Sequence, residues 1–197
     1  MSLRKLYEKF RGVTSLPIEV PEIRQAIYDL GTQDQIILCG RTLNPEELGG
    51  VFHQFTTRPK LYADPVLTTL IIFPNNAPIP VQRIICAKEM IHVMDRSVER
   101  VNTPLMLEEL IDKLLGPLST EDFGIPDLIA AGDKMAIYRC IPLLFPIAAR
   151  NEALKMLKNN NITLEELIKQ TSLTKRVVEL VLSDQWVDAE KEFFDDC

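Results

Sequence analysis

Val81-Gln82-Arg83-Ile84-Ile85-Cys86-Ala87-Lys88-Glu89-Met90-Ile91-His92-Val93-Met94 is the stretch on which the reading of the fold turns. It follows Pro80, and its composition predicts a helix from Val81 to Met94. On such a helix Lys88 and His92, four residues apart, share one face, with Glu89 beside them. Working outward, everything before Pro80 mixes helix and strand signals, and almost everything after it reads as helix.

Toward the N-terminus, Leu3, Leu6, Tyr7 and Phe10 recur at helical spacing, with Arg4, Lys5, Lys9 and Arg11 on the other side. That pattern predicts a short amphipathic helix docked on the body. A second helix is expected from Pro21 to Gly31, with Ile23, Ala26, Ile27 and Leu30 facing inward. Gln35–Cys39 reads as a buried strand stopped by Gly40. Strand formers around Val51–Phe55, Lys60–Tyr62 and Leu67–Phe73 lie among turn formers such as Asn44-Pro45 and Gly49-Gly50, which predicts a small sheet with loops.

Toward the C-terminus, Pro104–Leu115 carries an apolar set of Leu105, Leu107, Leu110, Ile111, Leu114 and Leu115 and stops at Gly116-Pro117. A long helix is expected from Pro126 to the Pro142–Pro146 region, where proline must bend or end it. Ile147–Lys158 follows, and then two short helices, Leu164–Gln170 and Lys175–Leu182, each behind a capping threonine (Thr163 and Thr174). Asp188–Cys197 is acidic and expected to be a loosely held tail. The expected fold class is α+β: a small N-terminal sheet packed on a mainly helical body.

Of the 197 residues, 46% are apolar, which suffices for one domain with a real core. A net charge of -6 disfavours non-specific nucleic-acid binding, which needs a basic surface. The longest apolar run, Val66–Phe73, is too short to span a bilayer and is closed by Pro74, so no membrane partner is expected. The opening residues carry no secretory pattern, and Cys39, Cys86, Cys140 and Cys197 are widely spaced. Together these point to a cytoplasmic protein with reduced thiols, Cys39, Cys86 and Cys140 being small core residues.

Gln82-Arg83-x-x-x-Ala87-Lys88-Glu89-x-x-His92 resembles the R-x-x-x-A-H-E-x-x-H helix of the ImmA/IrrE family of zincin-like metallopeptidases. In that pattern two histidines hold zinc, and the glutamate between them is the general base toward the metal-bound water. Asp133-x-x-Ala136-x-x-x-Cys140-x-x-Leu143-Leu144-Phe145-Pro146 is similar to the family's second helix, E-x-x-A-x-x-x-A-x-x-L-L-x-P, whose glutamate is the third ligand. Thr163–Leu167 through Val177–Leu182 resembles its closing helical pair. The resemblance spans residues 65–185 and leaves residues 1–60 unassigned. It implies one zincin-like domain over 1–187, with a peptidase-like core at 65–160, a helical pair at 161–187 and the acidic tail at 188–197.

Carried over by position, Glu89 takes the general-base place and His92 a retained ligand place. Asp133 takes the third ligand place, one methylene short, and Lys88 stands where the first histidine belongs. A lysine must be neutral to bind zinc, and a reference pKa of ~10.4 puts that cost at roughly 4–5 kcal/mol near neutral pH. The resemblance therefore implies a degenerate, catalytically inactive relative (a pseudopeptidase) with no metal and no cofactor, acting as a regulatory module that binds a protein partner. The expected substitute for zinc is the Lys88 ammonium, paired with Asp133 or Glu89.

Two other functions remain open at this point. One is a metal-dependent endopeptidase with an unorthodox zinc site made of His92, Asp133 and Glu89. The other is a transcription-linked adaptor using the C-terminal helices, although Lys175 and Arg176 are outnumbered there by Glu165, Glu166, Glu179 and Asp184. The plain alternative for the motif is a helix with an exposed lysine–glutamate face and one ordinary histidine, with Asp133 a first-turn acid after Gly132. Cys86 falls on a different helix face from Lys88, and His53, between Phe52 and Phe55, reads as a sheet or loop residue.

Overall fold

A computed structural model describes residues 3–43, 50–58, 62, 64–94 and 125–195, with backbone alone for 125–134, 192, 193 and 195. In chain order the elements are α1 (Leu3–Phe10), α2 (Val20–Asp29), β1 (Gln35–Arg41), β2 (Val51–Thr57), β3 (Val66–Pro74) and α3 (Ile79–Ile91). A 3-10 turn at His92–Met94 extends α3. Then come α4 (Ile125–Leu144), α5 (Ile147–Lys158), α6 (Leu164–Thr171), α7 (Lys175–Leu182) and α8 (Trp186–Asp195). The fold is α+β, as expected, with one small sheet and a predominance of helix. The expected strand at Lys60–Tyr62 and helix at Pro104–Leu115 lie outside the described residues, except Tyr62, which sits exposed in a turn.

The sheet order is β1-β3-β2. β1 runs parallel to β3, pairing Ile36 with Thr69 and Leu38 with Ile71, while β2 runs antiparallel to β3, pairing Phe52 with Ile71. Side chains alternate across a strand, so Ile36, Phe52, Thr69 and Ile71 fall on one face. All four are buried, and α3 packs against β3. α3 also packs against α2 and, most extensively, against α4. A helix covered on several sides must be apolar almost all round, and no residue from Val81 to Ile91 is exposed. The exposed lysine–glutamate face of the plain alternative is therefore overturned.

β1 runs through Gly40 to Arg41 with only Ile36 buried, which corrects the expected buried strand stopped at Gly40, whereas the capping and proline signals hold. The Thr163 hydroxyl accepts the Glu166 N–H at 3.2 Å, the Glu166 carboxylate accepts the Thr163 N–H at 2.8 Å, and the Thr174 hydroxyl accepts the Val177 N–H at 3.4 Å. α4 runs only two residues past Pro142, and Pro146 stands just ahead of α5.

The acidic tail is a correction. Residues 188–195 continue the helix α8, and Trp186, Glu190 and Phe194, at 2%, 2% and 3% exposure, recur every four residues along its buried side. The Phe194 ring stacks on Tyr7 of α1 at a centroid distance of 4.3 Å. Burial of two aromatic side chains outweighs the acidic composition, since each large apolar side chain contributes about 1.5–3 kcal/mol. No helix among the described residues is long and apolar enough to cross a membrane.

Candidate functional site

Arg83, Lys88, Glu89 and His92 all project from α3 and its 3-10 extension, but they do different jobs. Arg83 is buried and clamps the segment before α2: its guanidinium donates to Glu19 Oε2 at 2.7 Å and to the Ile18 carbonyl at 2.6 Å. Glu19 opens α2, its own N–H held by the Glu22 carboxylate at 2.8 Å. The arginine of the motif is thus a strut that sets α2 against α3.

Lys88 and Glu89 form the centre of the site. The Lys88 ammonium lies 2.8 Å from Glu89 Oε1, with side-chain exposures of 12% and 3%. Oε1 meets no hydrogen bond of good alignment, so the contact is an ion pair held by charge. This is one of the two pairings expected for Lys88. The other partner, Asp133, lies on α4, the helix packed on α3, and its side chain lies outside the described residues.

Three further residues bear on the pair, Gly50 by close approach and two thiols electrostatically, and the sequence does not mark them as site residues. Gly50, just before β2, is the closest: a β-carbon there would stand 2.7 Å from Glu89 Oε1 and 2.6 Å from Ile85 Cγ2. Cys86, on the same helix, and Cys140, from α4, come within electrostatic reach. Burial first, and the Glu89 charge second, push the Cys86 thiol up to about 12. Burial also pushes the Cys140 thiol up to about 12, with the Lys88 ammonium pulling the other way and Glu89 adding a smaller push. Cys140 Sγ donates to the Ile137 carbonyl at 3.1 Å and reaches the Ile84 carbonyl at 3.7 Å, so it bridges α4 to α3. Both thiols are buried core groups, as expected, whereas Cys39 on β1 is only half-buried. Gly50 reads as a turn former in the sequence; only the tertiary fold reveals that its missing side chain makes room for Glu89.

His92 lies half-buried at the end of α3, with its ring edge-on to Phe52 of β2 at 6.1 Å between centroids. The other histidine, His53, is exposed on β2 and stacks on Phe55 at 5.5 Å, the sheet position expected for it. Comparison with protein-family models, with curated proteins and with solved structures returns no match. The site is therefore read from its own chemistry.

That chemistry does not suit a zinc ion. An ammonium has no lone pair to offer a metal, that of Lys88 lies 2.8 Å from the neighbouring carboxylate, and among the described residues no three histidine, cysteine or acidic side chains gather to hold an ion. A general base must also face a water molecule, whereas the Glu89 side chain is buried and its carboxylate lies against Gly50 and Lys88. What the arrangement can do is hold the ends of three elements together: α3, α4 and the start of β2.

Proposed function

We propose that this chain is a non-catalytic relative of zincin-like peptidases, in which the Lys88–Glu89 ion pair stands in for the metal and the retained scaffold binds a protein segment. The observation that carries the reading is the 2.8 Å contact between two almost fully buried charges, at the positions where the resemblance calls for a metal ligand and a general base. An isolated buried charge is costly, so the pair satisfies electrostatically what zinc satisfies in an active site. The segment that such a scaffold presents is β2. Among the described residues it is an edge strand, it begins at Gly50 against Glu89, and its Phe52 packs on His92. An edge strand offers unpaired backbone groups to an extended peptide.

The reading is tested with a panel of extended peptides labelled at both ends. Binding followed by anisotropy, unchanged by a chelator and without cleavage after prolonged incubation, is the expected result. Cleavage that requires added zinc contradicts it.

A further inference from the structure

A second buried carboxyl group lies outside this site and joins the two ends of the described chain. One oxygen of Glu190 on α8 accepts the Tyr7 hydroxyl of α1 at 2.6 Å, while the other is buried without a hydrogen-bond partner. The Trp186 indole N–H, one turn earlier, acts on the same carboxylate and favours its charged form. Phe194, one turn later, stacks on the Tyr7 ring with an interplanar angle of 15°. α8 thus carries a half-satisfied acid between two buried aromatic side chains, and Glu190 and Phe194 meet Tyr7 of α1.

The nearest buried cation does not complete it. Arg150 of α5 directs its guanidinium to the Val181 carbonyl at 2.6 Å, the Ser183 carbonyl at 2.9 Å and Asn151 Oδ1 at 3.2 Å. It acts on Glu190 only at a distance, as does Arg11 of α1, which is engaged with Glu8. Among the described residues, α4 and α7, which also pack on α8, bring no ion pair to the carboxyl. An ionised Glu190 leaves one anionic oxygen buried without an ion pair and with no hydrogen bond of full geometry, whereas a neutral carboxyl sits there at lower cost.

We infer that the C-terminal helix α8 is a proton-dependent clasp: it docks on α1 when Glu190 is neutral and loosens as Glu190 ionises. The direction follows from the environment. Burial holds the Glu190 carboxyl above its ordinary range, against the lowering pull of the Tyr7 and Trp186 contacts and of Arg150 and Arg11. A docked value above the undocked one means that the proton's stabilisation of the clasp is fully present below the ordinary value of 4.5 and fades as pH rises through the docked one. Each unit between the two values changes the docking equilibrium about tenfold. Because α8 also packs on α4, whose Cys140 bridges to α3, the clasp braces the scaffold of the Lys88 site from outside.

The test is hydrogen exchange of the full chain from pH 4 to pH 8, corrected for intrinsic exchange rates, with residues 147–158 of α5 as internal reference. Protection of residues 186–195 is expected to fall about tenfold or more per unit of displacement as pH rises, while α5 stays level. Emission from Trp186, the single tryptophan, should shift to the red over the same range. Glu190→Gln should give a flat profile. Tyr7→Phe keeps the ring stack but removes a bond that favours the charged form, so it should move the step to higher pH. A flat profile in the native chain, or an unchanged step in Glu190→Gln, overturns the inference.

Discussion

Gly50 lies so close to Glu89 that a β-carbon on it would stand 2.7 Å from the carboxylate Oε1 and 2.6 Å from Ile85 Cγ2. The carboxylate end could swing aside if it were free, but it is buried and paired with Lys88. Ile85 is β-branched and stiff in a helix. Gly50→Ala is therefore expected to destabilise the fold by about 1–3 kcal/mol, the usual range for overpacking. Urea denaturation measures it, and a midpoint equal to the native one would show that β2 does not press on Glu89.

Removing one member of a buried pair strands the other. Lys88→Met should cost ~3–5 kcal/mol, because Glu89 then keeps a charge without its cation. Lys88→Met combined with Glu89→Leu should recover most of that loss, since neither charge remains to be buried. A double variant as unstable as the sum of its parts would mean that the two residues act separately.

The two buried thiols give the fold an alkaline limit. Cys86 and Cys140 are held at about 12 in the fold, whereas an unfolded chain releases the same protons near the ordinary thiol value of 9.0. Between these values the native state binds more protons than the unfolded one, so stability falls as pH rises, by up to ~1.4 kcal/mol per pH unit for each thiol. Cys140→Ala should reduce the slope of stability against pH above pH 9. An unaltered slope would mean that Cys140 is not protected from ionisation.

Truncation separates the two readings of the C-terminus. If residues 188–197 were a loose tail, deleting them would leave stability unchanged. With Glu190 and Phe194 buried against α1, the deletion should cost at least ~2 kcal/mol, most of it from the lost burial of Phe194.

That segment also shows where reading a sequence stops. Phe194 recurs at helical spacing from Trp186, but Asp188, Glu192, Asp195 and Asp196 around it make the composition resemble a solvated end. The decisive fact is that Tyr7 waits 183 residues upstream of Glu190, and local pattern carries no trace of it. By contrast, the bounds of α5, the threonine caps of α6 and α7, and the buried faces of α1 and α2 depend on neighbours in sequence and were legible there. At the site, the spacing of Lys88, Glu89 and His92 was visible in the chain, whereas the choice of Glu89 rather than Asp133 as a partner of Lys88 was left open there. The approach of Gly50 to Glu89 and of Cys140 to α3 was not visible, because strand order and helix packing bring those residues in from distant positions.

The most direct measurement of the central claim is zinc titration by calorimetry, on the native chain and on Lys88→His, each purified without chelator. The account predicts no tight uptake by the native chain, where the ammonium of Lys88 holds Glu89. It also predicts a gain of zinc affinity in the variant, where two imidazoles four residues apart share a helix face. Stoichiometric zinc bound tightly by the native chain through His92 would contradict it.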